Sequence, residues 1–259
     1  MTAPRANFEG LRSEWAAQLE VIASDVVAVE SNRAIWLDMR PALLRTEARE
    51  FLDHYAYLYV VAQCMAVRRI CDFDAGSGTI SLGRLLTSIG ANPAVLNRNW
   101  FVEKSMADFD GEARSFLAEQ IAEQFDVEFG DLEGNFCTAK SEARTVELRD
   151  AVTGLNSLVD KALAHHDKRA AEEATFDQVD SAIDHISALV VDLYLLIRQE
   201  SLDSLKPTPQ SDWRVPFAVP LFPRTTKAEE PEVFERKGLG ANFSRCLRLL
   251  WPGPKRKQR

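Results

Sequence analysis

Two adjacent histidines, His165 and His166, stand at the end of a segment whose residue spacing predicts a helix. On a helical wheel His166 falls near the middle of the apolar face and His165 lies at its edge. The helix dipole favours a protonated histidine near a helix C-terminus, where it can act as a general acid or base. The same position equally suits a structural cap, so the residue types alone leave both interpretations open.

Motifs for metals and phosphate-bearing cofactors are missing from the sequence. No two of the four histidines have the i, i+4 spacing of helical zinc ligands. The stretch from Gly76 to Gly83 resembles a phosphate loop superficially, but it lacks the Gly-Lys-Ser/Thr ending and follows a helix. A calcium loop that began at Asp72 would need a glutamate where Gly83 stands. We therefore predict no metal and no cofactor.

The cysteines and the apolar runs bear on the compartment. The chain has 4 cysteines and no Cys-x-x-Cys pair, and Cys64 and Cys71 have a spacing typical of a helix core. This pattern is typical of reduced thiols in a cytosolic protein. The N-terminus has no apolar signal-peptide segment, and the longest apolar run, residues 55–67, is too short to span a bilayer. We expect a cytoplasmic protein without a transmembrane segment.

Apolar residues recur at alternating spacings of three and four through most of the chain, which predicts helices. Four long helices are expected at about 8–31, 45–73, 141–166 and 175–199, with shorter ones at 82–89, 93–105 and 113–125. Thr175 and Gln178 form a capping-box pair, Ser81 or Thr79 caps the first short helix, and Asn92 caps the second. No segment shows a sustained two-residue alternation. The fold class is therefore all-α, a bundle of four long helices with short additional helices.

A change in composition near Leu205 divides the chain. Residues 206–259 hold 12 Lys and Arg, 5 Asp and Glu, and 8 of the 11 prolines, so the formal charge of this part is +7. Because the whole chain carries −8, residues 1–205 carry −15. An acidic body of this kind does not attract nucleic acid through its overall field, although a basic tail does. We predict a helical body at 1–205 and a Pro-rich, basic C-terminal extension at 206–259, which lies across the bundle or docks a partner protein.

The string Asp160-Lys161-x-x-Ala164-His165-x-Asp167 resembles the signature of HEPN domains of the AbiU (abortive infection) branch, which belong to prokaryotic defence systems. A second stretch, from Arg69 to Asp72 followed after a short loop by residues 80–86, is similar to the end of the second helix in that branch. The resemblance covers about residues 8–199. It implies a HEPN-like bundle that forms a homodimer.

In active members of that family four to six residues separate an Arg from the His, often with a polar residue directly after the Arg. The Arg and the His of both protomers meet across a dimer groove. The resemblance implies metal-independent RNA cleavage, in which a 2′-hydroxyl attacks the adjacent phosphate. The His moves the proton and the Arg stabilises the phosphorane. It implies a catalytic site at His165, with Asp160, Asp167, Arg69 and Asp72 as supporting residues.

This chain departs from the family at the Arg position, which is Val159, while the polar position is Asp160. Loss of one such electrostatic donor typically lowers a rate about 10²–10³-fold. The resemblance thus implies a defence- or stress-associated protein of RNA-cleaving ancestry, and it leaves open whether this chain is an enzyme. The alternatives are a binding module that acts through the bundle groove and a scaffold that docks partners through the tail.

Overall fold

The computed structural model describes residues 8–45, 49–73, 78–110, 112–159, 175–208 and 212–215. Seven α-helices lie in these ranges: α1 (Phe8–Leu44), α2 (Arg49–Ile70), α3 (Leu82–Ala91), α4 (Arg98–Ser105), α5 (Glu112–Glu128), α6 (Thr138–Leu158) and α7 (Phe176–Arg198). The described ranges contain two isolated β-bridges and no strand, which confirms the all-α class. None of the described helices is both long enough and apolar enough to cross a lipid bilayer.

The four long helices α1, α2, α6 and α7 form the bundle. Helix α1 packs against α2 and α7, while α6 packs against α7 and α2. The apolar stripe predicted for the last long helix is buried at its core positions, among them Val179, Ile183 and Ile186. Removal of a side chain such as Ile186 to alanine costs about 2–5 kcal/mol of stability, because it forfeits buried apolar area and leaves a cavity.

The ends of α7 and α3 follow the predicted capping chemistry. The Thr175 side chain accepts from the Gln178 backbone N–H, and the Gln178 side chain accepts from the Thr175 backbone N–H, so the capping box is confirmed. Ser81 caps α3 by accepting from the backbone N–H of Arg84. At the other end of α7, Gln199 has φ 57° and ends the helix in the left-handed conformation.

The expected helix at 93–105 is instead two elements. A 3₁₀ turn covers Pro93–Val95, and α4 begins only at Arg98. Asn92 stands at the N-cap of the 3₁₀ turn with Pro93 next, as predicted, but its side chain makes no cap hydrogen bond and donates to the carbonyl of Ser88. Asn97 is extended and accepts from the backbone N–H of Trp100, so a new helix starts there.

Helix α1 continues to Leu44, well beyond the expected end near residue 31. The extra turns bury Trp36, whose ring stacks on Tyr59 at 5.0 Å and on Phe176 at 5.5 Å between centroids. These partners come from distant parts of the sequence. Tertiary packing therefore extends the helix where the local apolar pattern fades.

The buried thiols confirm the core spacing predicted for two cysteines. Cys64 and Cys71 are buried, and Cys137 is partly exposed; all three are free. Burial raises the pKa of the Cys64 and Cys71 thiols to about 12, so both stay protonated at neutral pH.

The boundary between body and tail near Leu205 stays a prediction. Leu205 is buried and joins the hydrophobic core, so packing continues to the last residue assigned to the body. A short described piece of the tail, 212–215, lies near α1, where Arg214 pairs with Asp38 at 3.7 Å and with Asp212 at 3.0 Å. Residues 216–259 lie outside the described ranges.

Candidate functional site

The connection that carries the histidine motif begins and ends at one end of the bundle. Helix α6 ends at Leu158, and α7 starts at Phe176. Three of the predicted site residues, Asp160, His165 and Asp167, belong to residues 160–174 and lie outside the described part of the chain. The described part of the site consists of the residues around the end of α6 and the start of α7.

Val159, which the resemblance aligns with the family's Arg, is a core residue. Its backbone is still helical (φ −60°, ψ −49°), and its N–H bonds to the carbonyls of Leu155 and Asn156. Its side chain is 1% exposed and belongs to the hydrophobic core with Leu155 and Val152. A guanidinium at this position would lose its hydration. The core packing around residue 159 therefore favours an apolar side chain such as valine.

Four aromatic rings from three helices stack at this end of the bundle. Trp36 of α1 lies between Tyr55 and Tyr59 of α2 and Phe176 of α7, with interplanar angles of 15–23°. Tyr59 also stacks on Phe176, at 6.2 Å. Burial raises the pKa of Tyr59 to about 12, so its hydroxyl remains neutral. The stack fixes the start of α7, and with it one anchor of the motif connection.

An ion-pair network around the buried Glu30 and Arg33 lies on α1 and α7. Arg33 of α1 pairs with Asp184 at 2.7 Å and with Asp180 at 3.6 Å, both on α7, and with Glu30 at 3.9 Å. Ser187 donates to Glu30 at 2.8 Å. Burial opposes the charge of Arg33, but the hydrogen bond to Asp184 and the negative charges of Glu30, Asp184 and Asp180 together outweigh it and raise the pKa of Arg33. Burial likewise raises the pKa of Asp180, and the charge of Arg33 opposes that shift.

A second cation of α1 lies at the start of α7. The guanidinium of Arg40 is positioned over the Phe176 ring, 5.5 Å from its centroid. This distance is within the range of a cation–π interaction. Arg40 is therefore a cation placed beside one anchor of the motif connection. Sequence reasoning missed it, because nothing in the spacing of α1 links residue 40 to residue 176.

The remaining two predicted site residues, Arg69 and Asp72, lie at the opposite end of α2. The Arg69 guanidinium is bound to Asp25 of α1 at 2.7 Å, and the Asp72 carbonyl accepts from the Ser81 hydroxyl. Arg69 stands ten residues beyond Tyr59, so it lies about 15 Å further along the helix axis than the aromatic stack. The structure brings Arg69 near Asp25, and its role beside His165 stays a prediction.

A cavity of about 740 Å³ lies elsewhere, between the start of α1, helix α4 and the loop after α5. Its two arginines are committed to protein contacts. Arg12 donates to the Val95 carbonyl at 2.7 and 2.9 Å and lies 4.6 Å over Trp100, while Arg98 pairs with Asp126 at 2.7 Å. Across the described ranges, no group of three or more His, Cys, Asp and Glu side chains is arranged to hold a metal ion.

Comparison with known proteins places the chain in a family. A HEPN-type family model described as AbiU2 matches residues 13–214, which is most of the chain. No curated protein and no solved structure matches it. The match spans all seven helices except the first turn of α1, and it includes the motif connection between α6 and α7. The chain therefore belongs to the AbiU2 family of HEPN-type domains.

Proposed function

We propose that this protein is a prokaryotic HEPN module of abortive infection that acts by binding a partner and does not cleave RNA. The observation that supports the proposal is the burial of Val159. The resemblance aligns this position with the arginine of the family's nucleases, and here an apolar side chain is packed into the core. Loss of one hydrogen-bond donor to the transition state typically lowers the rate about 10²–10³-fold.

Two arginines of the described helices are held in ion pairs. Arg33 is 12% exposed at its side chain and is surrounded by the carboxylates of α1 and α7. Arg69 is bound to Asp25. A guanidinium that is already paired with carboxylates has less positive field left for a phosphate, so these contacts support a structural function for both residues.

The charge of the body favours a partner other than RNA. Residues 1–205 carry a formal charge of −15, and a field of this sign repels the phosphate backbone. We propose a protein partner for the helical body, a cytoplasmic location, and a homodimer as the working state. The basic C-terminal extension is the alternative docking element for a partner protein.

A metal-independent ribonuclease is the second candidate, and one observation favours it. Arg40 lies over Phe176 at the start of α7, beside an anchor of the connection that carries His165. In this candidate Arg40 contributes the positive charge that a valine at position 159 cannot supply. In that case His165 transfers the proton between the 2′-hydroxyl and the leaving oxygen.

Incubation of total RNA with the purified full-length protein in EDTA tests the two candidates. Wild type, His165→Ala and Arg40→Gln are compared, with thermal melting to show that each is folded. The binding module predicts that all three leave the RNA intact. Cleavage by the wild type that both substitutions abolish contradicts the proposal and establishes the ribonuclease.

A further inference from the structure

The last three turns of α1 carry an exposed apolar face. Exposed apolar residues recur there at spacings of three and four, so they lie along one side of the helix: Ala34, Leu37, Pro41 and Leu44. The two leucines are 46% and 48% exposed. Toward the start of α1 the nearest exposed positions are Asn32 and Ala28, which offer little apolar area. A stripe with this spacing is typical of a helix side that packs against another segment. We name these four apolar residues the α1 face.

The chain returns along the bundle after α7 and reaches the level of the α1 face. Arg198, the last residue of α7, pairs with Glu20 of α1. The described piece of the tail, 212–215, lies beside Asp38 of the same helix. Asp38 stands 18 residues beyond Glu20, which is about 27 Å along the helix axis. The described tail therefore ends near the last turns of α1, and its final residue, Val215, is 62% exposed.

Arg214 holds this piece of the tail at the edge of the α1 face. Its Nε lies 3.7 Å from Oδ2 of Asp38. Asp38 comes four residues after Ala34 and three before Pro41, so it borders both on the helix surface. The backbone N–H and the Nε–H of Arg214 also donate to the Asp212 carboxylate, each at 3.0 Å, and close a turn. The chain that follows this turn starts within a few residues' reach of the α1 face.

The segment that follows is apolar and favours an extended backbone. Residues 216–223 read Pro-Phe-Ala-Val-Pro-Leu-Phe-Pro and hold no charged side chain. The prolines disfavour a helix, and in an extended chain Phe217, Val219 and Leu221 share one side. From Phe217 to Leu221 such a chain spans about 13 Å. The two leucines of the α1 face are about 10.5 Å apart along the helix. The segment therefore matches the α1 face in chemistry and in length.

We propose that residues 216–223 cover the α1 face of their own chain. Phe217 packs near Leu37, because it follows the ion pair at the edge of the face by only three residues. Leu221 then packs near Leu44. The anchored turn holds the segment beside the face at a high effective concentration, which favours this cover over a second copy of the chain.

The inference is independent of whether the protein cleaves RNA, and it divides the C-terminal extension into two parts. The apolar part completes the helical body. Residues 224–259 hold 10 Lys and Arg and 4 Asp and Glu, so their formal charge is +6. A partner protein that docks on the extension thus meets residues 224–259 and binds them through an acidic surface.

Maleimide labelling of single cysteines in the full-length chain tests the cover. The background carries Cys137→Ser and Cys246→Ser, and the other two cysteines are buried. Val146→Cys on α6 is the matched reference, because Val146 is 54% exposed and Leu44 is 48% exposed. Leu44→Cys should react at least about tenfold more slowly than this reference, since a segment that is bound for more than about nine-tenths of the time hides the thiol.

Charges placed in the segment should release the cover. Phe217→Asp together with Leu221→Asp should raise the labelling rate of Leu44→Cys at least about tenfold and leave the reference rate unchanged, because two carboxylates do not pack on an apolar face. Thr225→Asp together with Thr226→Asp adds the same charge just beyond the segment. This control pair should leave the labelling of Leu44→Cys slow.

A disulfide test establishes which chain supplies the cover. In the same background, Leu37→Cys with Phe217→Cys should form an intrachain disulfide under mild oxidation, which changes the mobility of the monomer on a non-reducing gel. Leu37→Cys with Thr226→Cys is the control and should stay unlinked, because Thr226 lies nine residues beyond the expected contact. A disulfide-linked dimer in place of the intrachain link assigns the cover to a second copy and overturns the proposal.

The labelling rates can also overturn the proposal. Leu44→Cys that reacts as fast as Val146→Cys shows that the face is bare. Labelling that stays slow after Phe217→Asp and Leu221→Asp shows that something other than this segment covers the face. Thermal melting shows whether each variant is folded. If the double aspartate variant is unfolded, the comparison of Leu44→Cys with Val146→Cys and the disulfide test decide.

Discussion

Replacement of Val159 by arginine tests directly whether residue 159 is a core position. The wild-type side chain is 1% exposed and belongs to the core cluster. Its removal from that environment forfeits about 1.5–3 kcal/mol of apolar burial. Insertion of a guanidinium without a partner adds a further desolvation cost of a few kcal/mol. We expect Val159→Arg to lower the free energy of unfolding by about 4 kcal/mol or more.

Equilibrium unfolding in urea, followed by circular dichroism, gives this free energy. Val146→Arg is the matched control, because Val146 lies on the same helix α6 and is 54% exposed, so its replacement should change the stability by about 0.5 kcal/mol or less. Val159→Ala should fall between the two, at about 2 kcal/mol. If Val159→Arg is as stable as Val146→Arg, residue 159 faces a groove and the reasoning fails. A gain of RNA cleavage in EDTA by Val159→Arg would refute it as well.

Three further predictions follow from the same packing. Arg33→Gln should cost about 3–5 kcal/mol in urea unfolding, because it leaves the buried carboxylate of Glu30 without its cation; a loss under 1 kcal/mol would show that the network is solvated. Trp36→Ala should cost about 3–5 kcal/mol and lower the thermal midpoint, since it empties the centre of the aromatic stack, and an unchanged midpoint would contradict this. Because the thiol pKa values of Cys64 and Cys71 are raised to about 12, neither should react with iodoacetamide at pH 8 until the protein unfolds, as mass spectrometry of labelled peptides can show.

Local patterns in the sequence predicted what depends on neighbouring residues. The apolar stripe of α7 and the capping box of Thr175 and Gln178 follow from spacings of three and four, and both are present. The end of α1 could not be predicted in this way. Trp36 is held by Tyr59 and Phe176, which are 23 and 140 residues further along the chain, so the contacts that extend the helix leave no local signal.

Some features of the candidate site could be predicted from the sequence and others could not. The motif around His165 and the departure at Val159 were identified by resemblance to a known pattern, because they are contiguous in the sequence. The contacts of Arg33 and Arg40 were not foreseen, since each meets α7 more than 130 residues away. Whether a cation lies near the motif depends on such long-range contacts, which the spacing of residues in the sequence does not encode.

The most direct test of the central claim is a single-turnover assay with excess full-length protein, a labelled single-stranded RNA and EDTA. A slow ribonuclease weakened about 10²–10³-fold still cleaves under these conditions over hours, so the assay separates a weak enzyme from a non-enzyme. The account predicts that wild type and His165→Ala both leave the RNA as intact as buffer does. Cleavage by the wild type that His165→Ala abolishes would contradict it.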